Sequence, residues 1–132
     1  MIIKRRFNVK SAPYWINPDY LKPTLMDEVR ENRAIRAFQQ GNKCFYCEVT
    51  MTAVGTKEPT ACTAEHLVPR SQGGTNDLHN IVAACMCCNT ARSSTDWVVF
   101  LTKHKESNNV AKKILAIEPR IGYIGVIKER TL

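Results

Sequence analysis

Two Cys-x-x-Cys pairs limit this chain more than any other feature: Cys44-Phe45-Tyr46-Cys47 and Cys85-Met86-Cys87-Cys88. Such a turn brings two thiolates into one coordination sphere, and two turns supply the four ligands of a tetrahedral structural zinc. Thirty-seven residues lie between the pairs, against about 15–20 in a zinc ribbon, so a folded unit must occupy the gap. Met1-Ile2-Ile3-Lys4-Arg5-Arg6-Phe7 is charged but lacks the apolar stretch and cleavage site of a secretory signal. No apolar run approaches the ~18–20 residues of a spanning helix. The expectation is an intracellular, cytoplasmic protein, in which six cysteines serve as metal ligands or buried thiols rather than disulfides. Cys62 and Cys87 fall outside the chosen ligand set. Cys62 reads as a small buried apolar residue in a strand. Cys87 is an alternative ligand, although Cys85 with Cys88 keeps the spacing.

With 132 residues, one domain over 1–132 is expected. The composition, 44% hydrophobic and 23% charged, excludes disordered, collagen-like and membrane classes. Nineteen Lys and Arg against twelve Asp and Glu leave a net charge of +7, which favours an anionic partner, nucleic acid foremost. The charge is uneven. Nine basic residues face four acidic ones over 1–43 and seven face four over 93–132, whereas 44–92 is nearly neutral. A cysteine-bearing centre is thus flanked by a basic N-terminal arm with a helix (1–43) and a helical C-terminal extension (93–132).

Pro13, Pro18 and Pro23 with Tyr14, Trp15 and Tyr20 predict an irregular segment over 1–23. Thr24 suits an N-cap for a helix over Leu25–Gln40, and Gly41 suits its left-handed stop. Arg30, Arg33 and Arg36 recur at threes, forming a stripe that is either a solvated face or a phosphate-facing one. Ser94 or Thr95 is expected to cap a second helix through Trp97 and Phe100 to about Lys105. A third runs over 109–117 and stops at Pro119. Trp97 and Phe100 have the spacing of core residues rather than of a base-stacking platform. Residues 121–127 alternate weakly, as an edge strand or a docking arm.

Between the cysteine pairs runs Thr63-Ala64-Glu65-His66-Leu67-Val68-Pro69-Arg70-Ser71-Gln72-Gly73-Gly74, then Asn76-Asp77-Leu78-His79-Asn80-Ile81-Val82. A short strand ends in an adjacent carboxylate and imidazole, and Pro69 with Gly73-Gly74 reverses the chain. A second strand follows, and a helix beginning near Met86 carries Asn89. This is a ββα unit whose strand end and helix face can meet around one cation. Glu65-His66-x-x-Pro69, Gly73-Gly74, Asn80-Ile81 and Cys85-x-x-Cys88-Asn89-x-x-Arg92 resemble the HNH endonucleases of the ββα-metal class, in the subgroup braced by a four-cysteine zinc. The resemblance covers residues 44–92.

That resemblance implies His66 as the general base that takes a proton from the attacking water. It implies Glu65 and Asn89 as ligands of a catalytic divalent ion, magnesium or manganese, and Asn80 as support for the loop carrying the base. Arg92 would contact phosphate. Glu65 departs from the family, where Asp is commoner. The chemistry suits these residue types, because an imidazole can accept a proton near neutral pH and a hard cation on oxygen ligands can neutralise developing charge. A lone histidine is more often a core residue, but the adjacent carboxylate, the glycine turn and the cysteine frame favour catalysis by His66. His79 reads as a surface or supporting residue, and His104 has no partner pattern.

The expected fold class is α+β: a small ββα-metal finger braced by Cys44, Cys47, Cys85 and Cys88, with helices added at both ends. The expected function is metal-dependent cleavage of DNA phosphodiester bonds, with RNA left open as a substrate. The alternative is a zinc-stabilised DNA-binding module with weak or no nuclease activity.

Overall fold

The computed structural model describes residues 25–104 and 108–122. The irregular segment expected over 1–23, the Thr24 cap and the 121–127 strand beyond Gly122 lie outside them. The elements run α1 (Leu25–Gln39), β1 (Cys62–His66), β2 (Ile81–Cys85), α2 (Met86–Arg92), α3 (Trp97–His104) and α4 (Asn109–Ile117). The fold is α+β. β1 and β2 form an antiparallel pair in the register Cys62↔Cys85 to His66↔Ile81. Among the described residues, no helix is long and apolar enough to cross a membrane.

β2, Ile81-Val82-Ala83-Ala84-Cys85, is buried at every position, as an uninterrupted apolar run requires. Its edge away from β1 is closed by a side chain. The Gln40 amide donates from Nε2 to the Ala83 carbonyl at 2.8 Å, and its Oε1 accepts from the Ala83 N–H at 3.0 Å. Gln40 follows α1, and the helix ends as expected with Gly41 at φ 65° and a bond from the Asn42 N–H to the Ala37 carbonyl.

The arginine stripe on α1 divides. Arg36 is fully buried, donates to the carbonyls of Ile81 and Leu78, and lies 3.2 Å from Glu118. It pins α1 to β2 and to the end of α4, because a guanidinium can leave water only where its donors find acceptors. Neither reading of the stripe describes Arg36.

α3 is capped neither by Ser94 nor by Thr95. Asp96 Oδ2 accepts from the N–H groups of Val98 and Val99 at 3.1 and 3.3 Å, and its negative charge suits the positive end of the helix. Trp97 is a core residue, 2% exposed, and Phe100 stands edge-on to Tyr46 at 4.9 Å. α4 has the expected bounds and begins at Asn108. The Asn108 Oδ1 caps the Ala111 N–H, while its Nδ2 donates to the carbonyls of Phe45 and Tyr46. One asparagine thus ties α4 to the first cysteine turn.

Candidate metal centre and catalytic cleft

The sulfur atoms of Cys44, Cys47, Cys85 and Cys88 all lie within 4.8 Å of one another. Cys47 and Cys85 are 3.8 Å apart, which matches the edge of about 3.8 Å set by four zinc–sulfur bonds of ~2.3 Å in a tetrahedron. Backbone N–H groups converge on the sulfurs: those of Tyr46 and Cys85 on Cys44, and that of Cys88 on Cys85. Hydrogen bonds from the Cys88 thiol and from the N–H groups of Cys47, Cys85 and Tyr46 hold the Cys44 thiol down to about 5, against the effect of burial. Burial pushes Cys85 up to about 12, and donation to Cys44 with burial pushes Cys88 up as well. The donor set, its spacing and one stabilised thiolate fit a structural zinc. Cys87 is exposed and outside the cluster, and Cys62 is buried in β1.

His104, without a partner pattern in the sequence, places Nε2 3.7 Å from the Cys88 sulfur. The two stand sixteen positions apart in sequence, and α3 brings His104 to the cluster. Tyr46, inside the first turn, was also passed over. Its hydroxyl donates to Glu65 Oε2 at 2.8 Å, linking the cysteine frame to the end of β1.

Strand alternation sends Glu65 and His66 to opposite faces of β1. Glu65 points inward, 4% exposed, and its Oε2 also accepts from Arg92 at 3.0 Å. Burial pushes this carboxyl above its ordinary range, against the pull of the Arg92 guanidinium and the Tyr46 hydroxyl. Arg92 is 3% exposed. It donates further to the carbonyls of His66, Leu67 and Thr95 at 2.6–2.8 Å. The structure therefore turns Arg92 inward, away from the phosphate-contacting position that the resemblance implies: its donors are spent on β1, the loop after it and the turn after α2.

Asn89 lies one turn before Arg92 on the same face of α2. Its Nδ2 donates to Thr63 Oγ1 at 3.0 Å and to the Ala64 carbonyl at 3.2 Å, which orients Oδ1 as an available oxygen. Asn89 Oδ1 and the second carboxylate oxygen of Glu65 are hard oxygen donors, of the kind magnesium and manganese take. They fit such an ion in type, although Arg92 already answers the Glu65 charge.

On the other face, His66 opens into a cleft of about 600 Å³ that Val29, Arg30, Arg33, Ala64, Arg70 and Asn76 also line. The His66 Nε2 lies 2.8 Å from Asn76 Oδ1. A carboxamide oxygen only accepts, so this contact favours the tautomer with hydrogen on Nε2. Asn76 is held in turn by Asn32, whose Nδ2 donates to its backbone carbonyl at 2.7 Å. Asn76 was another residue missed in the sequence; its only signal is its place two residues beyond the glycine turn.

Asn80 is fully buried and staples the loop between the strands. Its Oδ1 accepts from the Val68 N–H, and its Nδ2 donates to the carbonyls of Val68 and Thr75. Gly74 closes the same loop, since a Cβ there would meet the Val68 carbonyl oxygen at 1.8 Å. His79 is near neither the cysteines nor His66 in any hydrogen bond; its backbone carbonyl accepts from the Gly122 N–H.

Residues 44–95 match the family model of the HNH endonuclease. The chain is also 35% identical over 102 residues to the CRISPR-associated endonuclease Cas9 of Actinomyces naeslundii. That alignment takes in 76% of this chain and 9% of the relative, so the chain spans under a tenth of that protein's length. No solved structure matches the chain significantly.

Proposed function

We propose that the HNH module at residues 44–95 makes this chain a divalent-ion-dependent endonuclease acting on DNA phosphodiester bonds. One observation carries the reading: His66 stands in an arginine-lined cleft with its ring oriented by Asn76. His66 Nδ1 takes the proton of the attacking water, and the Asn76 oxygen favours the tautomer that leaves this nitrogen as the base. Asn80 holds the loop that follows the base. Arg92 braces Glu65 and the backbone of His66 and Leu67 from beneath. Glu65 and Asn89 would hold a magnesium or manganese ion, which supplies charge neutralisation at a phosphate and leaving oxygen. Since they lie on the face of β1 opposite the cleft, the scissile phosphate would meet both at the end of the strand. Zinc on the four cysteines would hold the frame.

Supercoiled plasmid with added magnesium or manganese tests the reading, because a nick or cut changes its mobility. His66→Ala is expected to lose about 10²–10⁴-fold in rate while keeping its zinc and thermal transition. The Glu65–Arg92 ion pair favours a second reading, a zinc-stabilised DNA-binding module with a silent centre. If His66→Ala cuts plasmid as fast as the wild type, or neither protein cuts, that second reading replaces the first.

A further inference from the structure

The cleft beside His66 is lined by three guanidinium groups and no carboxylate. Arg30 is exposed and shares its charge with Asp27 at 3.3 Å. Arg70 is exposed too and Arg33 is half-buried, and both differ from Arg30 in their partners. Neither side chain has a hydrogen-bond or ion-pair partner among the described residues, whereas the guanidinium nitrogens of Arg36 and Arg92 are all engaged by acceptors of the fold. The fold thus uses two arginines as internal struts and presents two, unanswered, to the opening that holds the base. Like charges held together in a partly enclosed space repel, and an anion between them relieves that repulsion. Guanidinium forks match phosphate oxygens in pairs.

Resting on the nuclease reading above, we infer that Arg33 and Arg70 seat the DNA phosphate beside His66. Arg70 comes from the turn directly after β1. Arg33 comes from α1, which lies before the matched residues 44–95, so the substrate seat is assembled from the HNH module and from the helix docked against it. Val29 and Ala64 give the seat an apolar lining that does not compete for the phosphate oxygens.

Binding measured apart from cleavage tests this. Fluorescence anisotropy with a short labelled duplex, in the His66→Ala background with zinc bound and no other divalent ion, reads affinity across a salt series. Arg33→Gln and Arg70→Gln are each expected to weaken binding about tenfold and to lower the slope of log affinity against log salt by about one. Lys57→Gln removes the same charge from an exposed position outside the cleft and is expected to change affinity far less. The inference is overturned if the arginine variants bind as tightly as the parent with the same slope, or no more weakly than Lys57→Gln. Should Arg33→Gln lose its zinc or its thermal transition, Arg33→Lys keeps the charge but not the fork. It should then bind severalfold more weakly at a nearly unchanged slope, and parental affinity would overturn the seat. Plasmid cleavage that survives His66→Ala would defeat the catalytic reading alone and leave the binding result to judge the seat.

Discussion

Glu65 is asked to serve two masters with one carboxylate. Its Oε2 accepts from Tyr46 and from Arg92, deep beneath the strand, while its remaining oxygen is the proposed ion ligand. The two supports differ in kind. Tyr46→Phe removes one hydrogen bond to the carboxylate but leaves its counter-charge in place, and should cost about 1.5–3 kcal/mol. Arg92→Ala strands a buried carboxylate and empties three backbone carbonyls of their donor, so about 3–5 kcal/mol is expected. Urea denaturation of the zinc-loaded proteins compares them directly. Equal, small losses would mean that Arg92 is not the strut its geometry indicates.

The elements show where sequence reasoning reaches and where it stops. β1, β2, α2 and the four cysteines were legible because each rests on local pattern: an apolar run, a Cys-x-x-Cys turn, a glycine pair. Arg36, Asn76 and His104 were not. Each takes its role from a partner more than nine residues away, and periodicity along one helix cannot tell a solvated arginine from one that reaches carbonyls across the fold. The Asp96 cap was readable in principle, as the residue immediately before the helix, but two hydroxyl residues ahead of it offered the same chemistry. The cysteine turns carry a prediction of their own. In the metal-free cluster Cys44 is held ionised at neutral pH, whereas Cys85 and Cys88 are pushed up and keep their protons. Zinc takes thiolates, so its uptake at pH 7 should release at least two protons, and its affinity should rise as pH rises. Calorimetric titration in buffers of different ionisation enthalpy counts them. A proton count near zero would show that the thiols are already ionised.

At the scale of the whole molecule, the four-cysteine cluster and the proposed Glu65–Asn89 ion site share one small frame, joined through Tyr46. The sulfur cluster is buried and favours zinc, whereas the Glu65–Asn89 oxygens suit a hard, weakly held ion whose ligand charge Arg92 has already answered. Mild chelation should therefore abolish plasmid cleavage and leave the thermal transition in place, with magnesium or manganese restoring the activity. Stronger chelation should strip the cysteines and unfold the chain, which circular dichroism follows. Cleavage that persists after the weaker ion is gone would argue for a mechanism without it.

A two-stranded sheet ordinarily leaves bare backbone that another chain can extend. Here the Gln40 carboxamide meets both polar groups of Ala83, as a neighbouring peptide unit would. The Gln40 side chain, with the Phe45 N–H that also donates to the Ala83 carbonyl at 3.0 Å, thus stands in for a third strand at the middle of β2, and denies that edge to a second copy of the chain or to a stray extended peptide. Intermolecular strand pairing would first have to displace a bond that α1 holds in place.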